Sequence, residues 1–424
     1  MAERDLESSK RILWIVPRSP WPVSCGASYA NVSLMRTISS LGWQIDVICV
    51  LDARQNEPSS HHPTGLHISS VTTVRLPKIL SFRLLRIPIL AVLLLKYPNL
   101  PLTVIPFAFD CIRKRLIEVV EKLHSRIILW DGLHPMALIF RDKGRYSLQS
   151  HSNLKHIYRA HNIESDIWRQ FRNFSFGVFS SFLAAQVRRM ERFERSCVHK
   201  ADDVFCIAES DAHELTKLNL RTVAPKVVPV GVFDSLESVS QPIVNVERED
   251  TLRLVWLGGM NWWPNRHGLR WFFENVWPTL SHVRAAIRLD VLGRGTDSQF
   301  TNISGPVHFH GFVDSTSDFL RLSDLLIVPV FYGSGVRVKG LEALNWRIPC
   351  LGTRLGLGGL PDEGVWMRES ARDWLQLLGT LSRRECHARG AAGKSALQRR
   401  HSESAISETV AASLNRLWES QSSA

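Results

Sequence analysis

Short apolar runs alternate with longer amphipathic stretches along most of the chain. Each run is hydrophobic almost without interruption, which is typical of strands buried on both faces of a parallel sheet. In the first half we predict strands at 11–16, 45–50, 126–130, 156–160, 204–208 and 227–230. In the second half we predict strands at 252–257, 288–292, 307–310, 325–330, 348–351 and 364–367.

The stretches between these runs have apolar residues at helical spacing. We predict helices at 28–40, 111–124, 181–200, 211–218, 266–277, 338–345 and 374–381. The same alternation in both halves predicts an α/β protein with two doubly wound Rossmann-like domains facing across a cleft. Because doubly wound sheets bind ligands at the carboxyl ends of their strands, we expect the chemistry in the loops that follow the strands.

Changes in composition predict the domain boundaries. The 424 residues suit two domains of roughly 200 residues each. We predict a polar tail at 1–10, an N-terminal domain at 11–234, a polar linker at 235–250, a C-terminal domain at 251–401, and a C-terminal amphipathic helix and tail at 402–424.

The chain is basic, with 52 Lys and Arg against 40 Asp and Glu, a formal net charge of +12. A basic protein attracts anions such as nucleotide phosphates, nucleic acid or an anionic membrane. One predicted helix carries four arginines with two glutamates between them: Arg188, Arg189, Arg192 and Arg195, with Glu191 and Glu194. This pattern favours a solvated face with ion pairs, and contact with anionic lipid is the alternative. Nucleic-acid binding ranks last, because no aromatic and basic ladder is present.

The cysteines and the N-terminus indicate a cytoplasmic protein. The seven cysteines are scattered and none forms a Cys-x-x-Cys pair, so we expect buried free thiols and no structural zinc. Residues 1–10 are polar and do not form a signal peptide. The most apolar stretch, 87–95, has about half the length needed to span a bilayer. It is a buried or surface-docked segment, and peripheral contact with the inner membrane face is an open alternative.

Two loops of the first half contain candidate ligand-binding residues. Gly26 follows a proline-rich segment at the start of a helix, where backbone could approach a ligand; a structural turn explains the segment equally well. His161 ends the strand at 156–160, beside Arg159 and Asn162. Its imidazole could hydrogen-bond a sugar hydroxyl or move a proton near neutral pH, and the alternative is a histidine that caps the next helix.

Three strands of the second half end in glycine turns, at Gly258-Gly259, at Gly293 to Gly295 and at Gly311. Glycine lets backbone N–H groups come close to a phosphate. Three such turns in one domain favour a glycine-lined pocket over coincidental tight turns.

The segment richest in candidate chemistry contains, in order, Gly333, Ser334, Gly335, Arg337, Lys339 and Glu342. A strand runs into this glycine loop and a helix begins within two or three residues, so backbone N–H groups with partial positive charge suit a diphosphate. Arg337 and Lys339 add cationic side chains. Glu342 lies three residues after Lys339 on the same helix face, where it could accept hydrogen bonds from ribose hydroxyls. The alternative is an exposed Lys339–Glu342 ion pair.

These motifs resemble those of glycosyltransferase family 4, the group 1 glycosyltransferases of the GT-B fold. The resemblance is most specific at 258–265, 310–313 and 333–343, with further likeness at 161–164 and 230–234. It implies retaining transfer of a hexosyl group from a nucleotide-diphosphate sugar in polysaccharide biosynthesis. The implied acceptor is a glycan, a lipid-linked molecule or a small molecule, and the reaction needs no metal and no cofactor.

The resemblance also implies roles for single residues. As catalytic residues, Arg337 and Lys339 would hold the diphosphate and stabilise its developing charge, and His161 would face the transferred sugar. Glu342 would bind the ribose. The implied donor-binding positions are Gly26, Gly259, Gly311, Phe312, Val313, Gly333, Ser334, Gly335 and Glu342.

One position departs from the family pattern. Many members carry two glutamates separated by seven residues, and Ser334 stands where the first would be. Two other functions stay open: a nucleotide-sugar epimerase of the same fold, and a non-catalytic nucleotide or membrane-surface binding protein. An epimerase would convert the donor without an acceptor, whereas a binding protein would bind nucleotide without any transfer.

Overall fold

The apolar runs form two separate parallel sheets in a computed structural model of the chain. The structure describes residues 10–23, 25–52, 55–77, 92–123, 125–139, 154–173, 177–218, 224–232, 251–296, 299–300, 303–333 and 335–422. The chain divides into two units: one takes it up to Gly231 and again from Glu403, and the other takes Val232–Ser402. The predicted linker at 235–250 lies outside the described residues.

The sheet of the first unit has the strand order β3-β2-β1-β4-β5-β6-β7. Its strands are β1 Arg11–Val16, β2 Gln44–Leu51, β3 Ile68–Arg75, β4 Ile127–Asp131, β5 Lys155–Ala160, β6 Asp203–Cys206 and β7 Lys226–Val227. Neighbouring strands are parallel throughout. The central strands β1 and β4 are buried along almost their whole length, as the apolar runs predicted. The direction of winding reverses between β1 and β4.

The sheet of the second unit has the order β10-β9-β8-β11-β12-β13 and is also parallel. Its strands are β8 Leu252–Leu257, β9 Ile287–Leu292, β10 Val307–Gly311, β11 Leu325–Val328, β12 Cys350–Gly352 and β13 Val365–Met367. Here the winding reverses between β8 and β11. The α/β class and the two Rossmann-like sheets are therefore confirmed.

Helices connect the strands of both units. In the first unit they are α1 Gly26–Ser40, α2 Asp110–Leu123, α3 Glu164–Arg172, α4 Gly177–Lys200 and α5 Glu209–Leu218. From Trp263 to the C-terminus they are α6 Trp263–Asn275, α7 Trp277–Val283, α8 Ser317–Leu320, α9 Val338–Asn345, α10 Ala371–Thr380, α11 Arg383–His401 and α12 Glu403–Ser422. Short 3₁₀ segments lie at Ile105–Ala108, His134–Ile139 and Asp362–Gly364.

The C-terminal helix α12 packs on the first unit. Its apolar residues join the core formed by one face of the first sheet and helix α1: Ile406, Val410, Leu414 and Leu417 are all buried there. The rings of Trp43 and Trp418 lie 5.5 Å apart in an edge-to-face arrangement. The last helix therefore completes the core of the unit in which the chain begins.

Some elements differ from the sequence predictions. The strand β3 is not among the predicted runs, because its residues are only half-buried and several are polar. The predicted helix 266–277 is two helices that meet at Val276, with Pro278 at the start of the second. Helices α3 and α11 are also additional.

The exposure of the cysteines and of the apolar stretch 87–95 differs in part from the sequence predictions. All seven cysteines are free, but Cys25 and Cys111 are exposed, so the expectation that the free thiols are buried is wrong at these two. Of the stretch 87–95, only the last four residues are described; Val92 and Leu95 are exposed whereas Leu93 is buried. No described helix combines the length and the hydrophobicity required to cross a bilayer.

Candidate functional site

The reversal of winding in the second unit brings two candidate loops together. Strands β8 and β11 are hydrogen-bonded neighbours, with Leu254 beside Leu325 and Val255 beside Leu326. Their connections leave the sheet in opposite directions, which opens a crevice at their carboxyl ends. The loop from Gly258 and the loop towards Gly333 therefore begin side by side, as expected for a ligand site.

Three of the predicted glycine turns are bonded to one another at this edge of the sheet. The Gly258 N–H donates to the Leu292 carbonyl at 2.9 Å, and the Gly293 N–H donates to the Gly311 carbonyl at 2.7 Å. Gly293 has φ 139°, and a Cβ there would lie 1.9 Å from the Gly258 carbonyl oxygen. Only glycine allows these turns to approach so closely.

The predicted donor-binding positions Gly259, Gly311, Phe312 and Val313 lie at the ends of these turns. The Asn265 amide donates to the Gly259 carbonyl at 3.1 Å, which ties the loop to the start of α6. Gly311 has φ 63°, and the exposed Phe312 ring follows it. Arg294, which sequence reasoning did not single out, lies with its guanidinium 4.9 Å from the centre of the Phe312 ring. Val313 is half-buried.

The glycine loop before α9 holds Arg337 in place. Gly333 and Gly335 have φ values of 107° and 78°, which other residues rarely adopt. A Cβ on Gly333 would lie 3.2 Å from a terminal nitrogen of Arg337, so the guanidinium lies directly over the loop. The Arg337 Nε donates to the Leu355 carbonyl at 3.0 Å. Ser334, a predicted donor contact, lies outside the described residues.

Lys339 extends from the first turn of α9 to the end of β8. Its Nζ donates to the carbonyl of Leu257, the last residue of that strand, at 2.7 Å, and lies 5.3 Å from the centre of the Trp256 ring. Burial, reinforced by the positive charge of Arg337, lowers the pKa of Lys339 to about 7. The ammonium group therefore lies at the edge where β8 and β11 end, and an anion bound there would favour its protonated form.

Glu342 lies one turn further along α9 and has a different partner. It accepts a hydrogen bond from the hydroxyl of Thr316, and burial raises its pKa. Because Lys339 and Glu342 bind Leu257 and Thr316 rather than each other, the alternative of an exposed Lys339–Glu342 pair is wrong. Among the described residues, no group of three or more His, Cys, Asp or Glu is arranged to hold a metal ion.

In the first unit, His161 belongs to a buried polar network at the ends of β4 and β5. Its Nε2 donates to Asp131 at 2.8 Å. Arg159 donates to the same carboxylate oxygen at 3.1 Å, and the Asn31 amide donates to the other at 2.9 Å. Burial alone would raise the pKa of Asp131, but the charges of His161 and Arg159 and these hydrogen bonds outweigh it and lower the pKa to about 2. Asp131 is therefore an anion that orients the imidazole of His161.

The alternative role of His161, capping the following helix, is wrong. The N-cap residue of α3 is Ile163, without a side-chain cap. The carboxylate of Glu194 accepts from the Glu164 N–H at 3.0 Å and from the Ser165 hydroxyl at 2.7 Å, and so satisfies the start of α3. Burial raises the pKa of Glu194 to about 7.

Gly26 is an exposed residue at the first position of α1. The same helix places Asn31 against Asp131, so the Gly26 loop and the His161 network are built on one element. Sequence reasoning missed Asp131 and Asn31. The signal for Asp131 is its position directly after the apolar run 126–130, at the end of a strand next to the reversal of winding.

A known protein family matches part of the second unit. Residues 251–378 match the family model described as Glycosyl transferases group 1. This segment contains the glycine turns, Arg337, Lys339 and Glu342. No curated protein matches the chain in sequence.

Solved structures match nearly the whole chain. Sucrose-phosphate synthase from Thermosynechococcus elongatus is 14% identical with a TM-score of 0.68, over 97% of this chain and 100% of that one. HepE of Anabaena in complex with UDP and glucose is 12% identical with a TM-score of 0.60, over 95% and 99%. WaaG, a glycosyltransferase involved in lipopolysaccharide biosynthesis, is 13% identical with a TM-score of 0.62, over 94% and 98%. These likenesses show a shared fold, the GT-B fold.

Proposed function

We propose that this chain, which has a group 1 glycosyltransferase segment within a GT-B fold, transfers a hexosyl group from a nucleotide-diphosphate sugar with retention of configuration. The acceptor is a glycan, a lipid-linked molecule or a small molecule. Transfer of a sugar agrees with the matched family, whereas retention and the hexosyl donor come from the resemblance of the sequence motifs to family 4.

The observation that carries the proposal is the position of Lys339. Its ammonium group lies 2.7 Å from the last carbonyl of β8, and Arg337 lies over the neighbouring glycine loop. Two cations and the N-terminus of α9 thus converge where β8 and β11 end. A diphosphate bound there gains charge as the sugar leaves, and fixed cations and backbone N–H groups stabilise that charge.

The remaining site residues contact other parts of the donor. Glu342, whose pKa is raised by burial, binds the ribose hydroxyls as an acceptor. Gly259, Gly311 and Gly335 keep backbone close to the donor. In the first unit, His161, oriented by Asp131, hydrogen-bonds a sugar hydroxyl.

A screen of sugar nucleotides by thermal stabilisation tests the donor site. A ligand that binds only the native state raises the melting temperature by mass action. We expect at least one nucleotide-diphosphate sugar to raise Tm, and UDP-glucose is the first probe because HepE, a structural neighbour, binds it. Absence of any shift across the common nucleoside diphosphates and their sugars would count against the donor site.

Variants of the two cations test their role in transfer. Arg337→Ala and Lys339→Ala should each lower turnover by ~10²-fold or more, as the loss of one charge-stabilising contact does. Arg372→Ala removes an exposed arginine of α10 in the same unit and should leave turnover unchanged. If R337A and K339A retain wild-type turnover, the assignment of the diphosphate site is wrong. A parallel incubation without acceptor, in which a transferase only hydrolyses the donor slowly, detects an epimerase by conversion of the sugar.

A further inference from the structure

Helices α3 and α4 form an antiparallel hairpin, and exposed aromatic rings lie where α3 ends and where α4 begins. The Glu164 N–H binds Glu194 and the Arg169 guanidinium binds Glu191 at 3.1 Å, so the two helices run in opposite directions. The C-terminus of α3 and the N-terminus of α4 therefore lie at the same end of the hairpin. At this end three described phenylalanines are exposed: Phe171 by 39%, Phe179 by 61% and Phe182 by 37%.

These rings are not part of the core of the first unit. The deeper residues of α4, Leu183, Val187 and Met190, are buried, whereas Phe179 and Phe182 lie on the open side of the helix. The two rings are stacked, with centroids 6.3 Å apart and planes 20° apart. Exposed aromatic residues gathered in one place mark an interaction surface rather than a normal scatter of surface residues.

Exposed arginines lie on the same parts of the two helices, and of these Arg169 is paired with Asp166 and Glu191. The sequence from Ile167 to Met190 contains four arginines and neither Asp nor Glu. Arg172 at the end of α3 and Arg188 on α4 are both exposed. The combination of apolar rings with a basic rim is typical of elements that insert into the interface of an anionic bilayer, where rings enter the acyl boundary and arginines bind headgroup phosphates.

We propose that the patch formed by Phe171, Arg172, Phe179, Phe182 and Arg188 docks this protein on an anionic lipid surface. The occupant is a bilayer rather than a second copy of the chain, because two copies of this patch would bring like charges together at the contact. Docking does not depend on the proposed transfer reaction, since the patch contains none of the residues assigned to the donor site. It would hold the first unit next to a lipid-linked acceptor.

Flotation of the intact protein with vesicles tests the proposal. We expect binding to vesicles of phosphatidylcholine mixed with phosphatidylglycerol, little binding to phosphatidylcholine alone, and weaker binding at high ionic strength. The F179S/F182S variant should lose binding by about tenfold or more, because the insertion of two rings is lost. The R172E/R188E variant should lose about 25-fold or more, since each arginine contributes about fivefold near such a surface.

Matched controls remove equivalent residues elsewhere. V283S/L322S replaces two exposed apolar residues of the second unit, and R372E/R400E reverses two exposed arginines of that unit. Both should bind vesicles as wild type does, and all variants should keep the wild-type Tm because the replaced side chains are exposed.

Three results would overturn the proposal. The first is wild-type protein that does not float with anionic vesicles, and the second is equal loss of binding in the hairpin variants and their controls. The third is a concentration-dependent dimer that F179S/F182S dissociates, which would make the patch a self-association surface. Because transfer to a water-soluble acceptor is measured separately, failure of docking and failure of the proposed function are distinguishable.

Discussion

Lys339 should make donor binding depend on pH. Burial, with Arg337 beside it, lowers the pKa of this lysine to about 7, against an ordinary value of 10.5. The two phosphates of a nucleotide sugar remain anionic across the neutral range, so a bound donor favours the ammonium form. Below the free pKa the lysine is already charged; above it, binding must also take up a proton. The affinity for the donor therefore decreases as the pH rises.

The size of the effect follows from linkage. We take the bound donor to restore the pKa of Lys339 to near its ordinary value. The association constant then falls, as the pH rises, in proportion to the fraction of free protein in which Lys339 is still protonated. Between about pH 6 and about pH 8.5 it falls by a factor of roughly 30, or about 2 kcal/mol. Near the upper limit each binding event takes up close to one proton.

Isothermal titration calorimetry measures both quantities. The titrant is the sugar nucleotide that raises Tm most, and buffers of different ionisation enthalpy report the proton uptake. In Lys339→Arg the cation does not titrate in this range, so the affinity should be nearly independent of pH. Two other titratable groups lie nearby: Cys350, whose thiol pKa burial raises, and Glu342, whose pKa is also raised. Glu342→Gln should retain the wild-type dependence.

Two results would refute the reasoning. A wild-type affinity that is constant over this pH range would mean that Lys339 is charged in the free protein or remote from the donor. An equal pH dependence in K339R would assign the proton uptake to another group.

Three further changes test the structure through stability. Because the folded pKa of Lys339 lies below the unfolded one, its charge destabilises the fold fully below about pH 7 and progressively less up to 10.5. The stability of K339M relative to wild type in urea unfolding should therefore be greater at pH 6 than at pH 9, by on the order of 3 kcal/mol. Asp131→Asn leaves the buried Arg159 without its carboxylate and should cost about 3–5 kcal/mol, with a change under about 1 kcal/mol arguing against the network. Gly268→Ala would place a Cβ 1.6 Å from a backbone carbonyl oxygen and should lower Tm markedly. The control Gly379→Ala meets nothing within 4 Å on a helix and should be neutral or gain up to about 1 kcal/mol.

The sequence by itself determined the fold class and the segments of the proposed donor site. Strands buried on both faces are continuous apolar runs, so β1, β4, β8 and β11 could be found without the structure. The glycine turns that follow such strands were visible for the same local reason. Helix α9 was predicted with its observed limits, because its apolar residues follow the helical period.

Helix α11 shows where this local signal fails. Four of its six buried residues are small (Cys386, Gly390, Gly393 and Ala396), so that its apolar period is weak. A Cβ on Gly390 would lie 1.9 Å from the Arg347 carbonyl oxygen, which shows how closely the helix approaches its neighbour. Close backbone packing at Gly390 and Gly393 leaves no room for larger side chains there, which weakens the apolar pattern of the sequence.

Only the tertiary structure decided the partners of the site residues. The Lys339 ammonium binds the carbonyl of Leu257, 82 positions away, and the Asn31 amide binds Asp131, 100 positions away. Such pairs depend on which strands are neighbours in the sheet. The order of strands in a parallel sheet cannot be predicted from the hydrophobic period of any one segment. The sequence thus identified the residue types and the loops, whereas the order of the strands decided that the pKa of Lys339 is lowered and that Asp131 orients His161.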